Sequence, residues 1–171
     1  LGLSNVRKDE IKVDGWEFEK AVLAYADAAG ERQEVQLGAY QTDFVTKGAE
    51  TFQVVYVGKG GEKDYADKDV TGKIVLAEIN QRDEWWINFP VYQAHEKGAK
   101  ALIAVQIGGY GQVDEKALNA QDIAGPPEAA AFSMSFEDSE KLKACLDEKG
   151  EITVTLDASS RVMRDVSTYN I

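Results

Sequence analysis

The chain has 171 residues, 44% apolar and 29% charged, with thirty acidic against nineteen basic side chains and a net charge of −11. That length fits one domain able to bury about two thirds of its unfolded surface. The acidity and the scattered bases exclude nucleic acid and anionic membrane as partners, because both demand clustered lysine and arginine; the charge serves solubility.

No window approaches 18 uninterrupted apolar residues, so no membrane insertion is expected. One cysteine, Cys145, excludes an internal disulfide and every cysteine-rich zinc pattern. The chain opens on Leu1 without a methionine or signal segment, and is expected to be a processed or excised piece.

The N-terminal third reads as extended. Stretches 16–27 and 32–40 flank "AAGE", a hairpin with Gly30 in its turn. "TFQVVYVG" (51–58) is rich in β-branched and aromatic residues and stops at Gly58. "KIVLAEI" (73–79) is continuously apolar from Ile74 to Ala77, the pattern of a strand covered on both faces.

A short helix follows, with Asn88 as cap, Pro90 in the first turn, Gly98 at the end, and Val91, Ala94 and His95 on one face. "AKALIAVQI" (99–107) is a second buried strand. Strand, helix and strand make one crossover unit, so 73–79 and 101–107 should be parallel. After "GPP" (125–127), Ser135 and Asp138 open the clearest helix, whose apolar face is Leu142, Cys145 and Leu146. "EITVTLDA" (151–158) alternates as a half-buried strand. The sum is a sheet-dominated α/β domain, a β-sandwich or open β-barrel of about seven strands with two or more flanking helices.

The usual catalytic constellations lack their parts. A nucleophilic triad needs a histidine base, and His95 is the one histidine in the chain. "HEKGA" puts Ala99 where a metalloprotease motif needs its second histidine, and zinc hydrolysis needs more ligands than one histidine supplies. "IGGYG" (107–111) matches no phosphate-binding spacing. Asp67, Asp69, Thr71, Gly72 and Glu78 fall at calcium-loop positions, but a strand follows where a helix belongs, so coincidence is the expectation.

The order of motifs resembles a protease-associated domain. The residues that carry the resemblance are "VTGKIVLAEI" (70–79), the helix with Ala94, Gly98 and Ala99, the apolar strand after it, the helix start Ser135, Asp138 and Leu142, and "EITVTL" (151–156). The 16–57 stretch and "VSTYNI" (166–171) resemble the flanks of this domain where it is inserted in two-zinc aminopeptidases of the glutamate-carboxypeptidase-like superfamily. "QRDEWW" (81–86) and "EAAAF" (128–132) stand where the family often has R-G and I-P-A.

The resemblance implies one domain over 1–171, with lead-in strands in 1–69, core motifs in 70–158 and an exit toward a peptidase domain in 159–171. It implies an extracellular or cell-surface hydrolase whose zinc sits in that other domain, with no cofactor and no catalytic residue in this segment. The expected function is an accessory module that covers the peptidase active site and helps select substrate. Its partners are its own peptidase domain and peptide substrates, met through Trp85, Trp86, Phe89 and Tyr110, since aromatic residues dominate binding hot spots. The alternative is a passive spacer or dimerisation module of the same hydrolase. A doubly wound enzyme ranks below both, because the first seventy residues lack helical periodicity.

Overall fold

A computed structural model describes residues 6–80, 82, 88–109, 111–118, 125–126 and 128–170. Its elements, in chain order, are β1 (Asp9–Ala26), β2 (Arg32–Gln36), β3 (Gly38–Ala39), β4 (Phe44–Val45), β5 (Glu50–Tyr56), β6 (Ile74–Asn80), α1 (Asn88–Glu96), β7 (Ala101–Gly108), β8 (Ala131–Met134), α2 (Phe136–Lys149) and β9 (Glu151–Asn170), with a 3-10 turn at Glu62–Tyr65.

All the described strands join one sheet, in the order β2-β1-β9-β5-β6-β7-β8-β3, with β4 beside β9. The two ends of that path are consecutive in sequence. Leu37, between β2 and β3, donates its N–H to Ala21 O at 2.8 Å, while Gly38 and Ala39 pair with β8. The sheet thus curls into a nearly closed barrel, which hides most of its edges. Short β3 and β4 raise the strand count to nine, against the seven or so that their two-residue lengths allow a sequence pattern to reveal.

The crossover unit is as expected: β6 and β7 are parallel, pairing Ile74 with Ala101 through Ile79 with Gln106. Their apolar runs face two cores. Ile74, Leu76, Ala101, Ile103 and Val105 point into the barrel, against α2; Val75, Ala77, Leu102 and Ala104 point outward, under α1. Both sides being covered, no polar residue alternates in, and the run reads as continuously apolar. Helix α2 starts on Ser135, whose Oγ accepts Asp138 N–H at 3.1 Å, and buries Leu142, Cys145 and Leu146.

Strands β1 and β9 pair antiparallel from Tyr25–Val154 out to Asp9–Asn170. Their inner halves belong to the barrel wall, and their outer halves leave it as a two-stranded ribbon. β9 continues unbroken through the stretch where the sequence points to an exit.

Candidate contact surface

Of the aromatic residues singled out in the sequence, Phe89 is among the described residues. Phe89 stands half-buried in the first turn of α1, and Tyr92, one turn further on, is 44% exposed. Trp85, Trp86 and Tyr110 lie outside the described residues. Tyr92 was missed by the sequence reading, although its i,i+3 spacing from Phe89 was a usable signal.

His95 does not share the face of Val91 and Ala94, which are buried; it is exposed. Each helical residue advances about 100°, so a stripe centred on Pro90, Val91 and Ala94 leaves His95 to one side. Its position offers no carboxylate-oriented base.

The end of α1 that carries Phe89 sits at the carboxyl ends of β5, β6 and β7. The loop after β5 holds it there: Glu78 N–H donates to Gly58 O at 2.8 Å, and Gly60 packs directly against Pro90 and Ala77. Gly60 has φ +69°, and a Cβ there would lie 3.0 Å from Pro90 Cβ. Across the corner, Asn80 packs against Gly108. Nearby in sequence, Gln112, Asp114, Glu115 and Lys116 line an open cavity of about 530 Å³.

One charged group sits partly buried at this end of the sheet. Glu78, the lone acid inside its apolar strand, accepts the Tyr56 hydroxyl at 2.5 Å and the Lys143 ammonium at 2.5 Å. Lys143 also reaches Glu140 at 3.1 Å and lies over the Tyr56 ring. Burial pushes the Tyr56 phenol up to about 12, helped by its bond to Glu78. Burial alone would lower the Lys143 pKa, but hydrogen bonds to Glu78 and Glu140 outweigh it and the pKa is raised. Each Glu78 oxygen thus accepts one of these donors, and the group ties α2 to β5 and β6.

That engagement also separates the calcium-loop positions. Glu78 is turned to Tyr56 and Lys143, while the Asp69 carboxylate accepts Thr71 N–H at 3.1 Å and Asp67 is exposed. Among the described residues no three histidine, cysteine or acidic side chains gather where a metal could be held.

A second aromatic group lies where the ribbon meets the barrel. Trp16 stacks on Phe18 with ring centroids 6.0 Å apart, and Tyr40 approaches it edge-on at 5.8 Å. Trp16 Nε1 donates to Ser160 Oγ at 2.9 Å, and Ser160 Oγ donates to Thr42 O at 2.6 Å. Phe18 packs on the barrel core, so these rings close its open end. The W-x-F alternation was visible in sequence; the third ring, from a loop, was not.

No protein-family profile matches the sequence, and no curated protein does. Solved structures do match. An aminopeptidase from Aneurinibacillus sp. strain AM-1 superposes with TM-score 0.67 at 22% identity, over 95% of this chain and 36% of that one. A peptidase M28 precursor from Shewanella amazonensis SB2B gives 0.66 at 19%, over 99% and 40%. A zinc aminopeptidase from Bacillus subtilis gives 0.64 at 19%, over 95% and 35%. The chain therefore spans little more than a third of the length of these proteins, and what it has in common with that part of them is the fold.

Proposed function

We propose that this chain is the non-catalytic, protease-associated domain of a zinc aminopeptidase, set beside the peptidase domain to cover its active site and help select peptides. The observation that carries the reading is the pairing of Asp9 with Asn170. Chain entry and exit run side by side in one ribbon, the geometry of a domain inserted into another. Its likeness to about a third of several peptidases supports the same arrangement. On this reading zinc and all catalytic groups belong to the other domain, and the protein works outside the cell or at its surface.

The surface offered to peptides is taken to include the start of α1, at the carboxyl ends of the parallel strands, where Phe89 lies; Trp85, Trp86 and Tyr110 are proposed as contacts from the sequence. The test compares the longer polypeptide with a version in which residues 10–166 are replaced by a short linker. An aminoacyl p-nitroanilide should be hydrolysed by both, with bound zinc, while the preference for peptide length changes on deletion. Unchanged length preference would reduce the domain to a spacer, and zinc-free, inactive protein would sink the reading altogether.

A further inference from the structure

The ribbon formed by the outer halves of β1 and β9 has two unlike faces. On one, polar side chains satisfy each other: Ser167 Oγ donates to Glu10 at 2.7 Å, Lys12 bonds Ser167, and Arg164 pairs with Asp14. On the other, Ile11, Val13 and Gly15 follow one another along β1, facing Thr168, Val166 and Met163 across the ladder. Ile11 is 46% exposed, Val13 40% and Met163 38%. Gly15 makes that face smooth, since a Cβ there would lie 2.9 Å from Val166 Cγ2. The bulge between Val13 and Gly15, with Asp165 at φ 57°, keeps Val166 and Met163 on the same side despite their spacing of three.

A two-stranded ribbon in water is marginal on its own, so this one gains from a surface to lie against, and its apolar side is the one that can supply burial. We infer that the face formed by Ile11, Val13, Gly15, Met163 and Val166 docks against an apolar surface of another domain of the same polypeptide, an inference that rests on the inserted-domain reading above.

Area and charge select this occupant over a second copy. From Ile11 to Gly15 the stripe runs four residue steps, roughly 14 Å, and across its two strands it is roughly 10 Å wide. That is about 140 Å², far short of the roughly 800 Å² per partner of a stable association between separate proteins. A tethered domain needs less, because linkage supplies a high effective concentration. Charge argues the same way. Residues 6–14 and 161–170 hold five basic and four acidic side chains, leaving fourteen bases against twenty-six acids elsewhere in the chain. The ribbon is the part of this acidic protein that meets another surface without a repulsive field, whereas two copies would bring two acidic barrels together.

Amide hydrogen exchange in two proteins tests this: the 171-residue chain and the longer polypeptide, each with and without Val13→Glu plus Met163→Glu. Both altered side chains are exposed, and the amides of β6 and β7 report whether the barrel stays folded. The 171-residue chain should sediment as a monomer whose ribbon amides exchange fast in both forms. In the longer polypeptide the same amides should slow by at least about tenfold, and the double substitution should abolish the protection. Equal exchange in both proteins would overturn the inference. So would a dimeric 171-residue chain whose ribbon protection is lost on substitution, which assigns the face to a second copy. Protection without zinc-dependent aminopeptidase activity would keep the docking and discard the peptidase reading; activity without protection would do the reverse.

Discussion

The Glu78 carboxylate and the Lys143 ammonium meet at 2.5 Å, joining a strand of the parallel sheet to the helix that closes the barrel. Their side chains are 14% and 21% exposed, so each is the other's main compensation for lost water. Removing Lys143 leaves Glu78 with the Tyr56 hydroxyl, and removing Glu78 leaves Lys143 with Glu140.

Lys143→Met should therefore destabilise the chain by about 1–3 kcal/mol, since it leaves a half-desolvated carboxylate with only the Tyr56 hydroxyl. Glu78→Gln should cost a similar amount, and the double variant less than the sum of the two. Urea unfolding of the four proteins reads the coupling; strict additivity would show that the pair does not act as a unit.

Alkaline pH should weaken the fold through buried phenols. Burial pushes Tyr25 and Tyr56 up to about 12 and raises Tyr65 as well, from an ordinary value of 10.0. A raised pKa favours the protonated form in the folded state. The stability it contributes is complete below pH 10 and is lost as pH rises through about 12. Phenolate absorbance should show three of the seven tyrosines ionising late or together with unfolding. All seven titrating near pH 10 would contradict this burial.

Tyr25 and Tyr65 hydroxyls are buried without a hydrogen-bond partner among the described residues. Tyr65→Phe should therefore be neutral or stabilising by up to about 1 kcal/mol, because it removes an unsatisfied polar group and keeps the ring. A clear fall in melting temperature would point to an ordered water on that hydroxyl.

Gly60→Ala should cost more than Gly48→Ala. Both glycines have positive φ, +69° and +79°, but only at Gly60 would the new methyl meet neighbours, Pro90 and Ala77. The backbone term is about 1 kcal/mol in each, and crowding adds roughly 1–3 kcal/mol at Gly60. Since Gly60 backs the start of α1, exchange at the hydrogen-bonded α1 amides, from Tyr92 to Glu96, should rise in that variant alone. Equal melting temperatures would remove the packing argument.

Ser135→Ala tests the local device that starts α2. Ser135 Oγ accepts Asp138 N–H and also donates to the Asp138 carboxylate at 2.7 Å. Loss of this cap should cost about 1 kcal/mol, with Ser135→Thr, which keeps a hydroxyl able both to accept and to donate, retaining most of it. A cost shared equally by both substitutions would mean that space at this buried position matters more than the cap.

Much of this architecture is legible residue by residue because it is local. Ser135 and Asp138 mark the start of α2 by a hydrogen bond three residues long, and Gly30, at φ +82°, sits in the turn between β1 and β2 where expected. The two-sided burial of β6 and β7 follows from unbroken apolar runs, since a strand exposed on one face must alternate. That the chain holds a single histidine is equally plain.

Other features depend on residues brought together from distant parts of the chain. Closure of the barrel rests on Leu37 bonding Ala21 and on two-residue strands, too short to leave a periodic trace. The Tyr56, Glu78 and Lys143 group joins three elements, and a lone acid in an apolar strand announces only that some partner exists. Whether Ile11, Val13, Val166 and Met163 face the core or solvent is decided by where the ribbon leaves the barrel. Alternation within a strand fixes which residues share a face; only the tertiary arrangement decides what that face meets.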